Sequence, residues 1–363
     1  MQAEAQSPQQ SSTATHARYE WLDQARGIVG LFYVLSIITS SVDGDILRKL
    51  VPYHPTYLNH GYAYYKGDPS IITLIDVGQL MFMFIMGFVA YIAFSSRLEK
   101  RGAASAWLYA ARRFAGLYIL SIVGATLLPM LRGQTVNWNE ALYDGVLSRL
   151  AIGGLAAYTA VYFVRNADRR AWLGFTLFAV HAFLFASYYF DRYPWIDDML
   201  QRPKFPFGVF NLAAIAILGS AFAQWFAMRP DDPGAGIRSR ILPVATWSLV
   251  AAYCVEWIQP SEHHDVTTAL ALLSIGLTGY LVMASYAMGT QGIVVPALRA
   301  IGKNLLLVFI VTGEIVDMYL EAIADTAVET HPYAALLFVG LLPVAAVAYI
   351  ALLLEKRNIV VRL

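Results

Sequence analysis

Long apolar runs separated by short polar connections recur from end to end of the chain. The clearest is 71–95, IITLIDVGQLMFMFIMGFVAYIAFS, in which one carboxylate, Asp76, interrupts the run. At a rise of about 1.5 Å per residue such a helix crosses the hydrocarbon core of a bilayer. The same criterion picks out ten segments, roughly 21–42, 71–95, 114–131, 142–164, 171–190, 207–228, 241–258, 266–288, 304–323 and 334–354. The pattern therefore predicts an all-α, polytopic integral-membrane helical bundle of about ten transmembrane helices. Residues 1–17, rich in Gln, Ser, Thr and Ala and without an apolar core, read as a disordered N-terminal tail and not as a cleavable signal peptide. Residues 18–363 read as a single membrane domain.

The connections give the direction. Counted from an inward N-terminus, the inward segments carry 18 Lys and Arg against 7 in the outward ones. Cationic flanks are held on the cytoplasmic side, so both termini are expected in the cytoplasm and the protein in the cytoplasmic (inner) membrane. Five of the seven histidines, His54, His60, His263, His264 and His331, then fall in outward loops. The longest connection, 43–70, holds His54 and His60 among Tyr53, Tyr57, Tyr62, Tyr64 and Tyr65. Loops of that length are usually functional or disordered, while clustered tyrosines also suit an interfacial belt. The Pro- and Gly-rich segment 229–240, RPDDPGAGIRSR, reads as an inward hinge between two halves of the bundle.

Composition agrees with the pattern. Of 363 residues, 58% are hydrophobic and 14% charged, where a soluble globular chain carries about a quarter charged. A net charge of +1 gives no footprint for nucleic acid. The single cysteine, Cys254, excludes an intrachain disulfide or a cysteine-based metal site. No Walker loop, dinucleotide fingerprint, nucleophile elbow or HExxH is present, and no metal is expected.

Ionisable groups within membrane spans are costly and turn toward protein or a water-filled interior. Asp76, Arg149, Glu256, Glu314, Asp317 and Glu321 all fall between mid-membrane and the outer surface, which implies a polar cavity open outward. Asp76 and Arg149 lie at similar depth and suit an ion pair, either catalytic or one that joins helices. Glu314 and Asp317, three apart on one helical face, suit a proton or cation path. At the inner ends Asp23 and Arg26, one turn apart, are expected to pair, and Lys303 and Asn304 open the ninth span. Arg112 and Arg113 add to the basic run of Arg97, Lys100 and Arg101. Such a group suits an anionic nucleotide-bearing thioester, or simple cytoplasmic flanking.

In order along the chain, five blocks resemble the heparan-α-glucosaminide N-acetyltransferase family of transmembrane acyltransferases. RYEWLDQARGIVGLF (18–32) resembles its LD..RG opening. Thr73-x-x-Asp76 followed by FIMG (84–87) resembles its second block, and DGVLSRLAIGGLAAY (144–158) its GVLQRL helix, with Arg149 at the arginine. FPFGVFNLAAIAILGSAFA (205–223) and IGKNLLLVFIVTGE (301–314) resemble two later spans. The outward side departs from the family: Gly78 and Gln79 replace an FP pair, QPSEHH (259–264) replaces a P-x-N-K loop, and no Trp follows the histidine.

The resemblance implies transfer of an acetyl or other acyl group from acyl-coenzyme A, on the cytoplasmic side, to an amine or hydroxyl of an extracytoplasmic glycan or glycolipid. It implies an outward catalytic histidine before the T-x-x-D block. Here that is His60, with His54 the second choice. A neutral imidazole can accept the proton of the attacking group or itself be acylated. Asp76 would orient it, and Arg149 would serve Asp76 or the thioester carbonyl. Arg112, Arg113, Asp23, Arg26 and Asn304 are the expected coenzyme-binding residues, and His54, Tyr62 and Glu314 the expected acceptor-binding ones. Expected partners are membrane lipids, the sugar acceptor and, in a homodimer, a second copy. Two other classes stay open: an ion-coupled transporter using the intramembrane carboxylates, and an inactive membrane scaffold.

Overall fold

A computed structural model describes residues 10–40, 72–73, 76–131, 133, 135–136, 138, 142, 145–189, 209–228, 232–262, 266–316, 319–320 and 336–360. Every regular element among them is helical, as the apolar pattern requires. In chain order the α-helices are α1 Gln10–Ser40, α2 Gly78–Leu131, α3 Val146–Phe163, α4 Ala167–Tyr189, α5 Phe210–Ala227, α6 Pro233–Gly236, α7 Leu242–Glu256, α8 Thr268–Thr290, α9 Pro296–Lys303, α10 Leu305–Ile310 and α11 Leu342–Lys356. Wider π-helical turns stand at Ile237–Ile241, Val311–Val316 and Leu336–Leu341.

Six of the described helices are long and apolar enough to cross a membrane, and a bent pair, Pro296–Lys303 with Leu305–Gly313, makes a seventh. Each of the ten expected spans overlaps helix among the described residues, but two fall short on these terms. α4 opens on Asp168, Arg169 and Arg170 and contains His181, and α7 is 15 residues long. α1 begins at Gln10, within the segment read as a disordered tail. α2 supplies two spans. Gly102 breaks it at φ 78°, ψ 173°, a conformation that side-chain-bearing residues avoid. Across the break the Arg97 guanidinium lies 3.9 Å from the Tyr109 ring centre and Phe94 meets Trp107 at 5.5 Å. In a straight helix residues 12 apart stand about 18 Å apart, so the chain folds back at Gly102.

The chain divides into two compact units, residues 1–59 with 281–362, and residues 60–280. The segment read as an inward hinge lies inside the second, where Pro233–Gly236 and Ile237–Ile241 are helical. Arg238 pairs with Asp232 at 3.4 Å across this turn.

In the first unit, α1 and α9 cross with backbones in contact. A Cβ on Gly302 would stand 1.7 Å from the Asp23 carbonyl oxygen, and one on Gly27 1.8 Å from that of Leu298. Gly302→Ala is therefore expected to destabilise the protein by about 3 kcal/mol, because backbone rather than a flexible side chain must move. Thermal unfolding of the detergent-solubilised variant measures it.

In the second unit α5 is the central helix, with nearly every side chain buried. It runs parallel to α2, since Phe84 meets Phe222 at 4.9 Å and Phe88 meets Phe226 at 6.2 Å. It runs antiparallel to α4, since Arg170 meets Ser220 and His181 meets Asn211. These registers put the starts of α2 and α5 and the end of α4 at one end of the unit.

Candidate functional site

The polar residues of the second unit separate into two sets by axial position. At the end where α2 and α5 begin, Asp76 is buried, 1% exposed, just ahead of α2. Its Oδ2 accepts from the Thr73 backbone N–H at 2.8 Å and from the Thr73 hydroxyl at 3.2 Å. The T-x-x-D motif thus closes on itself, with the carboxylate just ahead of the first turn of α2. Arg149, at the start of α3, reaches Gln79 Oε1 with Nη1 at 3.5 Å. Asp76 is held by Thr73 and Arg149 reaches Gln79, and both residues make further interactions.

A second polar group at this end has no counterpart among the expected site residues. His181, Asn211, Thr267, Thr268 and Gln259 are all buried. Asn211 Nδ2 donates to the Val266 carbonyl at 2.6 Å and lies 3.0 Å from His181 Nδ1. Thr268 Oγ1 is 3.2 Å from the same ring nitrogen. The Thr268 N–H donates to Gln259 Oε1 at 3.1 Å. A histidine in the middle of an apolar run was the available signal, because burying it costs free energy unless the fold supplies partners. Next to this group Glu256, expected to line a cavity, accepts from Ser261 N–H at 2.9 Å and from the Ser261 hydroxyl at 2.5 Å, which tethers the turn after α7.

The other end of the unit is cationic and aromatic. Arg113 donates to the Tyr109 hydroxyl at 3.2 Å, beside a cluster of Phe94, Trp107, Tyr158 and Tyr162. Arg112 is exposed, as are Lys100 and Arg101. Consecutive helical residues diverge by about 100°, so Arg112 and Arg113 leave the helix in different directions. Among the described residues Lys100, Arg101 and Arg112 have no carboxylate partner.

Arg170 is different in kind. It is fully buried, and its Nε donates to Ser220 Oγ at 3.1 Å. Nη1 donates to the carbonyls of Val164 and Arg165 at 2.8 and 3.3 Å. Nη2 donates to the Ser220 carbonyl at 3.2 Å and to Gln224 Oε1 at 2.5 Å. Counted as a cytoplasmic flank on sequence, it is a clamp joining the turn before α4 to α5.

In the first unit Asp23 and Arg26 pair at 2.9 Å, as their spacing implies. Arg299 bridges Glu20 at 2.8 Å and Glu355 at 2.9 Å, and Lys303 joins Glu355 at 2.8 Å. Arg26, Arg299 and Lys303 therefore face carboxylates, which leaves less charge for a phosphate than the sequence count suggests. Asn304 is buried at an 86° bend between α9 and α10. Glu314 belongs to the π-helical turn Val311–Val316, and its side chain lies outside the described residues. His54, His60 and Tyr62, and with them Asp317 and Glu321, also lie outside them. Among the described residues no three His, Cys, Asp or Glu side chains group as metal ligands. No protein-family model matches the sequence, and no curated protein matches it.

Proposed function

We propose that the protein is a transmembrane acyltransferase of the cytoplasmic membrane, with both termini in the cytoplasm. It takes an acetyl or other acyl group from acyl-coenzyme A and delivers it to a hydroxyl or amine of an extracytoplasmic glycan. One observation carries the reading: the second unit has a buried, pre-oriented carboxylate, Asp76, at one end and carboxylate-free cations, Lys100, Arg101 and Arg112, at the other. Acyl transfer across a bilayer needs that division, an anion-binding mouth on one face and a proton-handling site on the other.

In this reading His60 takes the proton of the attacking hydroxyl as its oxygen bonds to the acyl carbonyl carbon. The carbon–sulfur bond then breaks, and the proton passes to the departing thiolate. If His60 is first acylated, the same exchange occurs in two steps, thioester to imidazole and imidazole to acceptor. Asp76 would hold the ring and stabilise the imidazolium, and its bonds to Thr73 fix the carboxylate in advance. Arg112 and Arg113 would meet the coenzyme from the cytoplasm. A transporter built on Glu314 is the competing reading, because π-helical turns such as Val311–Val316 recur at functional sites.

Acetyl-coenzyme A is expected to raise the melting temperature of the purified protein in a concentration-dependent way. A ligand at 100 times its dissociation constant adds about 2.7 kcal/mol to the stability of the state it binds. Arg112→Glu is expected to weaken the effect. Absence of any shift, together with loss of ion-coupled uptake in Glu314→Gln vesicles, would favour the transporter.

A further inference from the structure

At the cationic end of the second unit two guanidinium groups adjoin one side chain. Arg97 lies over the face of the Tyr109 ring, 3.9 Å from its centre, and Arg113 donates to the Tyr109 hydroxyl at 3.2 Å. Among the described residues neither is bridged by a carboxylate, and Glu99, two residues from Arg97, is exposed. Both cations are half-buried. Like charges gathered in such a place repel, so the arrangement costs free energy until an anion joins it. Tyr109 does not remove that cost, because a phenol offers each cation only a partial charge.

A third group belongs to the same place. The Tyr158 ring stands 6.5 Å from that of Tyr109, and its hydroxyl is within electrostatic reach of Tyr109, Arg113 and Arg97 alike. The residue is 1% exposed, yet among the described residues its hydroxyl makes no hydrogen bond of normal length. A buried hydroxyl left unmatched costs free energy, and most native ones are satisfied. The N–H donors of Arg97 and Arg113 that make no hydrogen bond keep access to solvent, so a ligand can reach them. Phe94 packs edge to face on both Tyr158 and Trp107 beside them. That aromatic wall lowers the local polarity and strengthens any charge pairing made there.

The group is rich in donors and, apart from two phenol oxygens, without acceptors. A metal cation or an ammonium would be repelled. Water or an alcohol would leave both charges unneutralised. A phosphate group brings three strong acceptor oxygens and up to about two negative charges, which two guanidinium forks and a phenol O–H can meet. We propose that Arg97, Arg113 and the Tyr158 hydroxyl form a binding site for a phosphate group. Two kinds of molecule bring one to a membrane face, a soluble coenzyme and a phospholipid headgroup, and the recognition chemistry is the same for both. Assigning the phosphate to the coenzyme rests on the acyl-transfer reading. The site itself does not.

The test is ligand binding to the purified full-length protein in a phosphate-free maltoside detergent, read by melting temperature and by titration calorimetry. Inorganic pyrophosphate is expected to stabilise the wild type, and sodium acetate at equal ionic strength is not. Tyr158→Phe keeps the ring and removes only the unmatched hydroxyl. It is expected to leave the melting temperature of the ligand-free protein unchanged or raised while weakening pyrophosphate binding about tenfold. Arg97→Gln is expected to weaken binding at least as much. Displacement of pyrophosphate by coenzyme A assigns the site to the coenzyme, and displacement by dioctanoyl-phosphatidylglycerol alone assigns it to a lipid and removes the coenzyme from it. If coenzyme A stabilises both variants as strongly as the wild type, the site is refuted while the acyl-transfer reading stands. Absence of stabilisation by pyrophosphate, coenzyme A and the lipid alike, an equal effect of acetate, or pyrophosphate binding unchanged in both variants overturns the proposal.

Discussion

Arg170→Leu is expected to lose roughly 3–5 kcal/mol of stability, enough to unfold many membrane proteins on solubilisation. The guanidinium is fully buried and directs all its N–H donors at five acceptors in the 164–165 turn, Ser220 and Gln224. Leucine fills much of the volume but leaves the Ser220 acceptors buried and unmatched and removes the link to the part-buried carbonyls of Val164 and Arg165 and to Gln224. The losses add less than linearly because they share one partner. Arg170→Lys is expected to recover only part, since an ammonium carries three donors on a flexible stem and cannot reproduce the planar fork. Yield of monodisperse protein and its melting temperature measure both variants. A change under about 1 kcal/mol in Arg170→Leu would mean that the acceptors find other partners and that the clamp is dispensable.

The second large effect is on activity. His60→Ala is expected to reduce acyl transfer by about 10²–10⁴-fold, the usual contribution of a positioned acid–base group. Stabilisation by acetyl-coenzyme A should persist in that variant, because the coenzyme mouth is assigned to the other end of the unit. Asp76→Asn should lower the rate less while leaving the fold intact, since the amide oxygen can still accept from Thr73. Assayed side by side, the two variants separate the group that moves the proton from the one that orients it. Rates in His60→Ala equal to wild type would remove that histidine from the mechanism and move attention to His54.

Much of the helical frame was legible because apolar run length translates directly into helix length in a bilayer. The two arms of α2, joined by a basic turn, and the Asp23–Arg26 pair follow from local spacing alone. The self-closing Thr73–Asp76 turn is likewise a contact between near neighbours. What stayed hidden depends on residues far apart in sequence. His181 meets Asn211 and Thr268 only once α4, α5 and α8 are packed, and no periodicity announces that meeting. Charge counting treats every cation at a helix end as solvated, so it could not separate buried Arg170 from exposed Arg112. The segment 229–240 reads as a hinge by its Pro and Gly, yet Pro at an early helical position is compatible with the helical turns found there. Gln79 and Gln259, far apart in sequence, take up polar contacts at the same end of the unit.

The central claim is that an acyl group enters on one face of the membrane and leaves on the other. Purified protein reconstituted into sealed, orientation-sorted vesicles, given acetyl-coenzyme A labelled in the acetyl group on its cytoplasmic face alone, tests this directly. Label should accumulate on the opposite face as acetylated sugar or free acetate, at a rate that falls in His60→Ala. Label confined to the face of addition, with intact and coenzyme-stabilised protein, would contradict the account.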